Sequence, residues 1–157
     1  MDSPKDIRDP LIRSVLKDFR SRFAPHSEIL WVRERDGERI DISRAHLLRY
    51  GIESLRHADL PDVGMLNLDR HWLFLVDARN FRSPERCEVL KELFSSSPFA
   101  LVIITAFRSR LDIQDSISEP VWGTAAWFSS EPDHLIHFDS SRLIGPRRCG
   151  SSAPTLV

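Results

Sequence analysis

An aspartate behind a proline, Asp62 in Leu60-Pro61-Asp62-Val63, and a second aspartate fifteen positions on, Asp77 in Trp72-Leu73-Phe74-Leu75-Val76-Asp77-Ala78-Arg79, have the best claim to chemistry in this chain. The stretch from Trp72 to Arg79 alternates. As a strand it places Leu73, Leu75, Asp77 and Arg79 on one face, which is apolar until it ends in two opposite charges. A carboxylate so placed needs a partner. A hairpin reversing through Leu68-Asp69-Arg70-His71, centred between Asp69 and Arg70, sets position 62 opposite position 77, and Cβ atoms of opposed strand residues lie about 4.5–5.5 Å apart. Two carboxylates at that separation repel, and a hard cation such as Mg²⁺ relieves the repulsion while finding the oxygen ligands it prefers. Arg79 then stands beside the cation. This layout suggests a metal-dependent nuclease. The plainer alternative is a common strand-start pair and an Asp–Arg ion pair at the surface.

The elements that must position these residues are readable around them. Asp9-Pro10 followed by Leu11, Ile12, Val15, Leu16, Phe19 and Phe23 has helical spacing and stops at Ala24-Pro25. Glu28 to Arg33 and Glu38 to Ile42 flank Asp36-Gly37, a hairpin signal. Ser43 caps a short helix carrying Ala45, Leu47 and Leu48 and ending near Gly51. The central hairpin, Pro61 to Arg79, comes next. Ser83-Pro84-Glu85 then starts a helix with Val89, Leu90, Leu93 and Phe94 on one face, running to about Ser96. Ala100 to Phe107 is a continuous apolar run, expected as a strand buried on both faces and parallel to its predecessor. A short helix from Leu111 to Ile117 and strands at Val121 to Phe128 and Leu135 to Phe138 follow.

The chain has 157 residues, room for one domain with a real core. We divide it into a lead-in helix over 1–25, a catalytic domain over 26–146 and a disordered tail over 147–157. Apolar residues make up 41% and charged residues 29%, and no apolar run approaches the roughly 20 residues of a membrane span. With no apolar leader at the N-terminus, the expected location is cytoplasmic. Cys87 and Cys149 are read as free thiols. A net charge of −1 excludes whole-surface attraction to nucleic acid and leaves a local basic cleft open. Its best candidates are Arg70, Arg82, Arg86, Arg108 and Arg110 near the ends of the central elements.

From about Phe23 to Pro146 the chain resembles the C-terminal catalytic domain of the BsuBI/PstI restriction endonucleases. The landmarks are Asp36-Gly37-Glu38, Leu60-Pro61-Asp62-Val63, Trp72 to Ala78, Ser83-Pro84 with Arg86, Leu101 to Phe107, and Glu131-Pro132-Asp133-His134-Leu135-Ile136-His137-Phe138. The resemblance implies an α/β restriction-endonuclease-like fold of the PD-(D/E)XK superfamily, a central mixed β-sheet flanked by helices. It further implies a homodimer, Mg²⁺ as cofactor, and cleavage of palindromic double-stranded DNA, at CTGCAG in the named enzymes. A cognate DNA methyltransferase is a possible partner. By position, Asp62 is the acid of the Pro-Asp motif and Asp77 the acid of the next strand. The segment Ala78 to Pro84 is shorter than the family's, Asp59 stands where a Lys is common, and the family's helical N-terminal half lies outside the sequence.

On this reading Asp62 and Asp77 ligate the metal and Arg79 neutralises transition-state charge. Glu88 is a candidate third ligand and Lys91 a candidate catalytic lysine, each weighed against a solvated helix face. His134 and His137, three apart, fall on opposite faces of a strand and are read as fold residues. The four tryptophans, Trp31, Trp72, Trp122 and Trp127, are read as core anchors. Two other functions stay open: a non-catalytic remnant that binds DNA or a protein, and one half of a split enzyme with a separate recognition subunit.

Overall fold

The computed structural model describes residues 7–34, 39–42, 44–52, 60–78, 83–114 and 122–138. The helix predicted after Asp9 is present as α1 (Pro10–Ser14), a π-helical stretch (Val15–Phe19) and α2 (Arg20–Phe23) in unbroken succession. The Asp9 carboxylate starts it by accepting the backbone N–H groups of Leu11 and Ile12 at 2.9 and 3.3 Å, with Pro10 at the first helical position. Buried Glu34 holds that start against the sheet by accepting the Asp9 N–H at 2.8 Å.

Seven strands form one sheet: β1 (Glu28–Glu34), β2 (Arg39–Ile42), β3 (Val63–Asn67), β4 (Trp72–Ala78), β5 (Ala100–Phe107), β6 (Thr124–Phe128) and β7 (Leu135–Phe138), in the spatial order β2-β1-β3-β4-β5-β6-β7. The β4–β5 and β5–β6 pairs are parallel and the rest antiparallel, so the sheet is mixed as expected. α3 (Arg44–Arg49) and α4 (Pro84–Leu93) lie on one face and the lead-in helix on the other, while α5 (Arg110–Gln114) follows β5. The alternation of β4 separates the two cores. Phe74, Val76 and Ala78 pack with Leu11, Ile12, Val15, Leu16 and Phe19, whereas Leu73 and Leu75 pack with Leu47, Cys87, Leu90 and Phe94.

Several expectations need correction. Val89 is 45% exposed, because the buried stripe of α4 is Cys87, Leu90 and Phe94. Trp122 is 63% exposed in the turn before β6 and anchors nothing. β5 is sealed only from Ile103 to Phe107, and its first three residues are more open. α5 is described over Arg110–Gln114, the rest of the expected helix lying outside the described residues, and β6 begins at Thr124. Asp36-Gly37, Ser43 and the tail fall outside the described residues. None of the described helices is long and apolar enough to cross a membrane.

Candidate metal centre

β3 and β4 pair Val63 with Val76 and Gly64 with Leu75, down to Asn67 with Trp72. This is the register predicted from a centre between Asp69 and Arg70, and its next step places Asp62 across from Asp77. Both side chains are nearly sealed from water, Asp62 at 2% and Asp77 at 4% exposure. They form a reciprocal clasp. The Asp62 N–H donates to Asp77 Oδ1 at 3.2 Å, and the Ala78 N–H donates to Asp62 Oδ2 at 2.9 Å. Each carboxylate therefore rests on the main chain of the other's strand.

Alternation puts Asp77 on the face of Leu73 and Leu75, the side covered by α3 and α4. In the parallel ladder Asp77 is paired with buried Thr105. Because α4 follows β4 and leads into parallel β5, its N-terminal turn lies at the acid end of the sheet. Arg86 sits in that turn, its N–H bonded to the capping Ser83 hydroxyl at 3.2 Å. Exposed Arg108 leaves β5 at the same end.

The other candidates disperse. Arg79 and Arg82 lie outside the described residues. Arg70 is in the turn at the far end of the hairpin, its guanidinium 5.0 Å over the Trp72 ring, five strand positions from Asp77, or about 17 Å. It does not join the acids. Glu88 is on the solvated face of α4, 72% exposed and paired with Lys91 at 2.7 Å. Among the described residues no three or more His, Cys, Asp or Glu side chains gather as a metal cluster, and Glu88 is not brought together with the two aspartates. Arg110 is paired with Glu131.

His134 and His137 line one groove, because His134 precedes β7 in a turn closed by its N–H on the Glu131 carbonyl at 3.1 Å. That groove, about 840 Å³, runs between Phe19, Trp72, Phe74 and Phe138 on the lead-in helix side of the sheet. Neither aspartate lines it.

Two buried carboxylates on neighbouring strands fit a small hard cation. They supply oxygen donors fixed in place by backbone N–H groups, and Mg²⁺ is commonly held by one or two carboxylates with water and phosphate oxygens completing its shell. A third protein acid is not required. Sequence reasoning reads Trp31 as a core anchor, which it is, but misses its contact with the Asp62 loop and passes over Arg33; both contacts are described below.

Comparison with known proteins bears on the family and the fold. The model of the BsuBI/PstI restriction endonuclease domain matches residues 5–141. The type II restriction enzyme BsuBI of Bacillus subtilis is 30% identical over 140 residues, covering 87% of this chain and 44% of that enzyme. The type II restriction enzyme AplI of Arthrospira platensis is 27% identical over 143 residues, covering 85% and 44% respectively. The structure of the SdaI restriction endonuclease superposes with a TM-score of 0.79 at 30% identity, covering 92% of this chain and 46% of that one. The chain thus spans a little under half the length of these relatives.

Proposed function

The chain belongs to the BsuBI/PstI restriction endonuclease family, and from that premise we propose that it hydrolyses phosphodiester bonds of palindromic double-stranded DNA with Mg²⁺, at a CTGCAG-like site. The observation that carries the proposal is the clasp between Asp62 and Asp77. Asp62 and Asp77 hold the cation. When bound, it supplies positive charge to the scissile phosphate and acidity to water. The chain's own part is preorganisation: the Asp62 and Ala78 N–H groups fix both carboxylates before any ligand arrives.

Arg79 is assigned to neutralising charge on the phosphate as water adds to phosphorus. A guanidinium stays protonated at neutral pH, so it cannot serve as the general base. Arg82 and Arg86 follow Asp77 closely in sequence and are assigned to the DNA backbone, where contacts set register rather than read sequence. A palindromic site calls for two copies related by a two-fold axis, hence a homodimer. A methyltransferase would protect the same site in the host.

The test uses plasmid DNA carrying CTGCAG with Mg²⁺. Asp62→Asn and Asp77→Asn should each abolish cleavage, and unchanged cleavage in both defeats the assignment. A second reading is that the domain cuts only together with a separate recognition polypeptide. In both readings saturating Mg²⁺ raises the melting temperature, by on the order of 5 °C at 100-fold over Kd. In a remnant that has lost its chemistry it does not.

A further inference from the structure

Three consecutive backbone carbonyls, those of Leu60, Pro61 and Asp62, are each held from β1. Arg33 Nη1 donates to the Leu60 carbonyl at 3.3 Å, Trp31 Nε1 to the Pro61 carbonyl at 2.9 Å, and the Arg33 N–H to the Asp62 carbonyl at 2.7 Å. Only the last is a main-chain bond, of the kind a neighbouring strand makes anyway. The other two come from side chains that reach past the ladder to the segment leading into Asp62.

A β-bulge makes this reach possible. Ile29 pairs with Met65 and Trp31 with Gly64, so one residue, Leu30, is inserted between them. Leu30 and Trp31 consequently both enter the core beneath α3 and α4, while Ile29 and Val32 pack on the opposite side. Trp31 is fully buried, its ring stacked on Phe94 with centroids 6.0 Å apart and planes 8° from parallel. The ring also lies against the bare Gly64 backbone, where a Cβ would stand 2.3 Å from it. Phe94 and Gly64 thus fix the plane in which the indole N–H meets Pro61.

The geometry points to Trp31 and Arg33 as positioning residues for the metal centre: they strap the Leu60-Pro61-Asp62 segment to β1 and so set the height of the Asp62 carboxylate beside Asp77. This rests on the metal reading of the acid pair. Outer groups that orient a ligand commonly change metal affinity by about tenfold or more when removed, although they never touch the ion. Trp31→Phe keeps an aromatic plate for Phe94 and loses the N–H. Arg33→Lys keeps the charge and loses the planar fork that reaches Leu60.

The experiment is calorimetric titration of the purified chain with MnCl₂, well below the melting temperature, on wild type, Trp31→Phe, Arg33→Lys, Asp62→Asn, Asp77→Asn and Leu16→Ala. The last destabilises the fold from the other core and controls for stability alone. Trp31→Phe should weaken Mn²⁺ binding about tenfold, and Arg33→Lys about threefold, the factor that one ordinary hydrogen bond carries. Leu16→Ala should leave it unchanged. Wild-type affinity in both strap variants overturns the assignment while the acid pair stands. If Trp31→Phe does not fold, Arg33→Lys decides alone by the same criterion. Absence of wild-type binding sensitive to Asp62→Asn and Asp77→Asn removes the metal reading itself, and the strap's role with it.

Discussion

Gly64→Ala tests how rigidly the acid pair is supported. Three atoms of the Trp31 ring lie 2.3–2.4 Å from where the new Cβ would stand, against 3.4–4 Å for ordinary contact, so ring and backbone must separate by more than 1 Å. The ring has nowhere to go. It is fully buried and backed by Phe94, itself 2% exposed. Overpacking of this kind costs about 1–3 kcal/mol. A shift that stretches the 2.9 Å bond to Pro61 adds about 1–3 kcal/mol for a buried donor left without its acceptor. The sum centres near 4 kcal/mol, a large part of the roughly 5–15 kcal/mol that holds a domain together. Urea unfolding reads it directly: with a slope near 2 kcal/mol/M the midpoint should fall by about 2 M. A fall below about 0.5 M would refute the contact. The Trp31→Phe/Gly64→Ala double variant should lose less than the sum of the singles, because the smaller ring vacates space the methyl needs.

Other perturbations address other parts of the molecule. Asp9→Ala removes the cap that accepts two helix N–H groups and should cost about 1 kcal/mol in the same urea assay. Tyr50 is the chain's only tyrosine, so phenolate absorbance reports on it alone. Its pKa is raised above 10.0 chiefly by the hydrogen bond to Glu28, with burial adding to the shift. The stability linked to it is therefore complete below pH 10 and lost as pH rises through the folded midpoint. Glu28→Gln should move the midpoint back toward 10.0, and an unmoved midpoint excludes that cause. In DNA binding, Arg86→Ala should reduce the slope of log affinity on log salt by about 1 and Arg70→Ala should not. Equal reductions would place the duplex across the turn end of the hairpin as well.

The central hairpin was legible because its signals are strong and local. Three consecutive polar residues, Asp69-Arg70-His71, mark one reversal, alternation fixes the faces of β4, and the count from the centre gives the register that joins Asp62 to Asp77. Cap chemistry likewise placed the starts of the lead-in helix and α4. The strap was not legible. Leu30 and Trp31 are both apolar, so no pattern of polarity betrays the bulge that turns them to one side. In sequence Arg70 reads as a phosphate contact near the end of a central element and Glu88 as a third ligand or a solvated helix residue; the hairpin carries Arg70 to the end away from the acids, and helix phase carries Glu88 to solvent. Trp122 shows the limit of residue type as a guide: a tryptophan in a strand-like run can still fall one turn short of the strand.

The crossed N–H donation between the two aspartates makes the geometry of the pair depend on strand alignment as a whole. Sliding β3 along β4 by one residue would turn Asp62 to the opposite side of the sheet and break both of these crossed bonds together. Along that coordinate the two acids are aligned together or not at all.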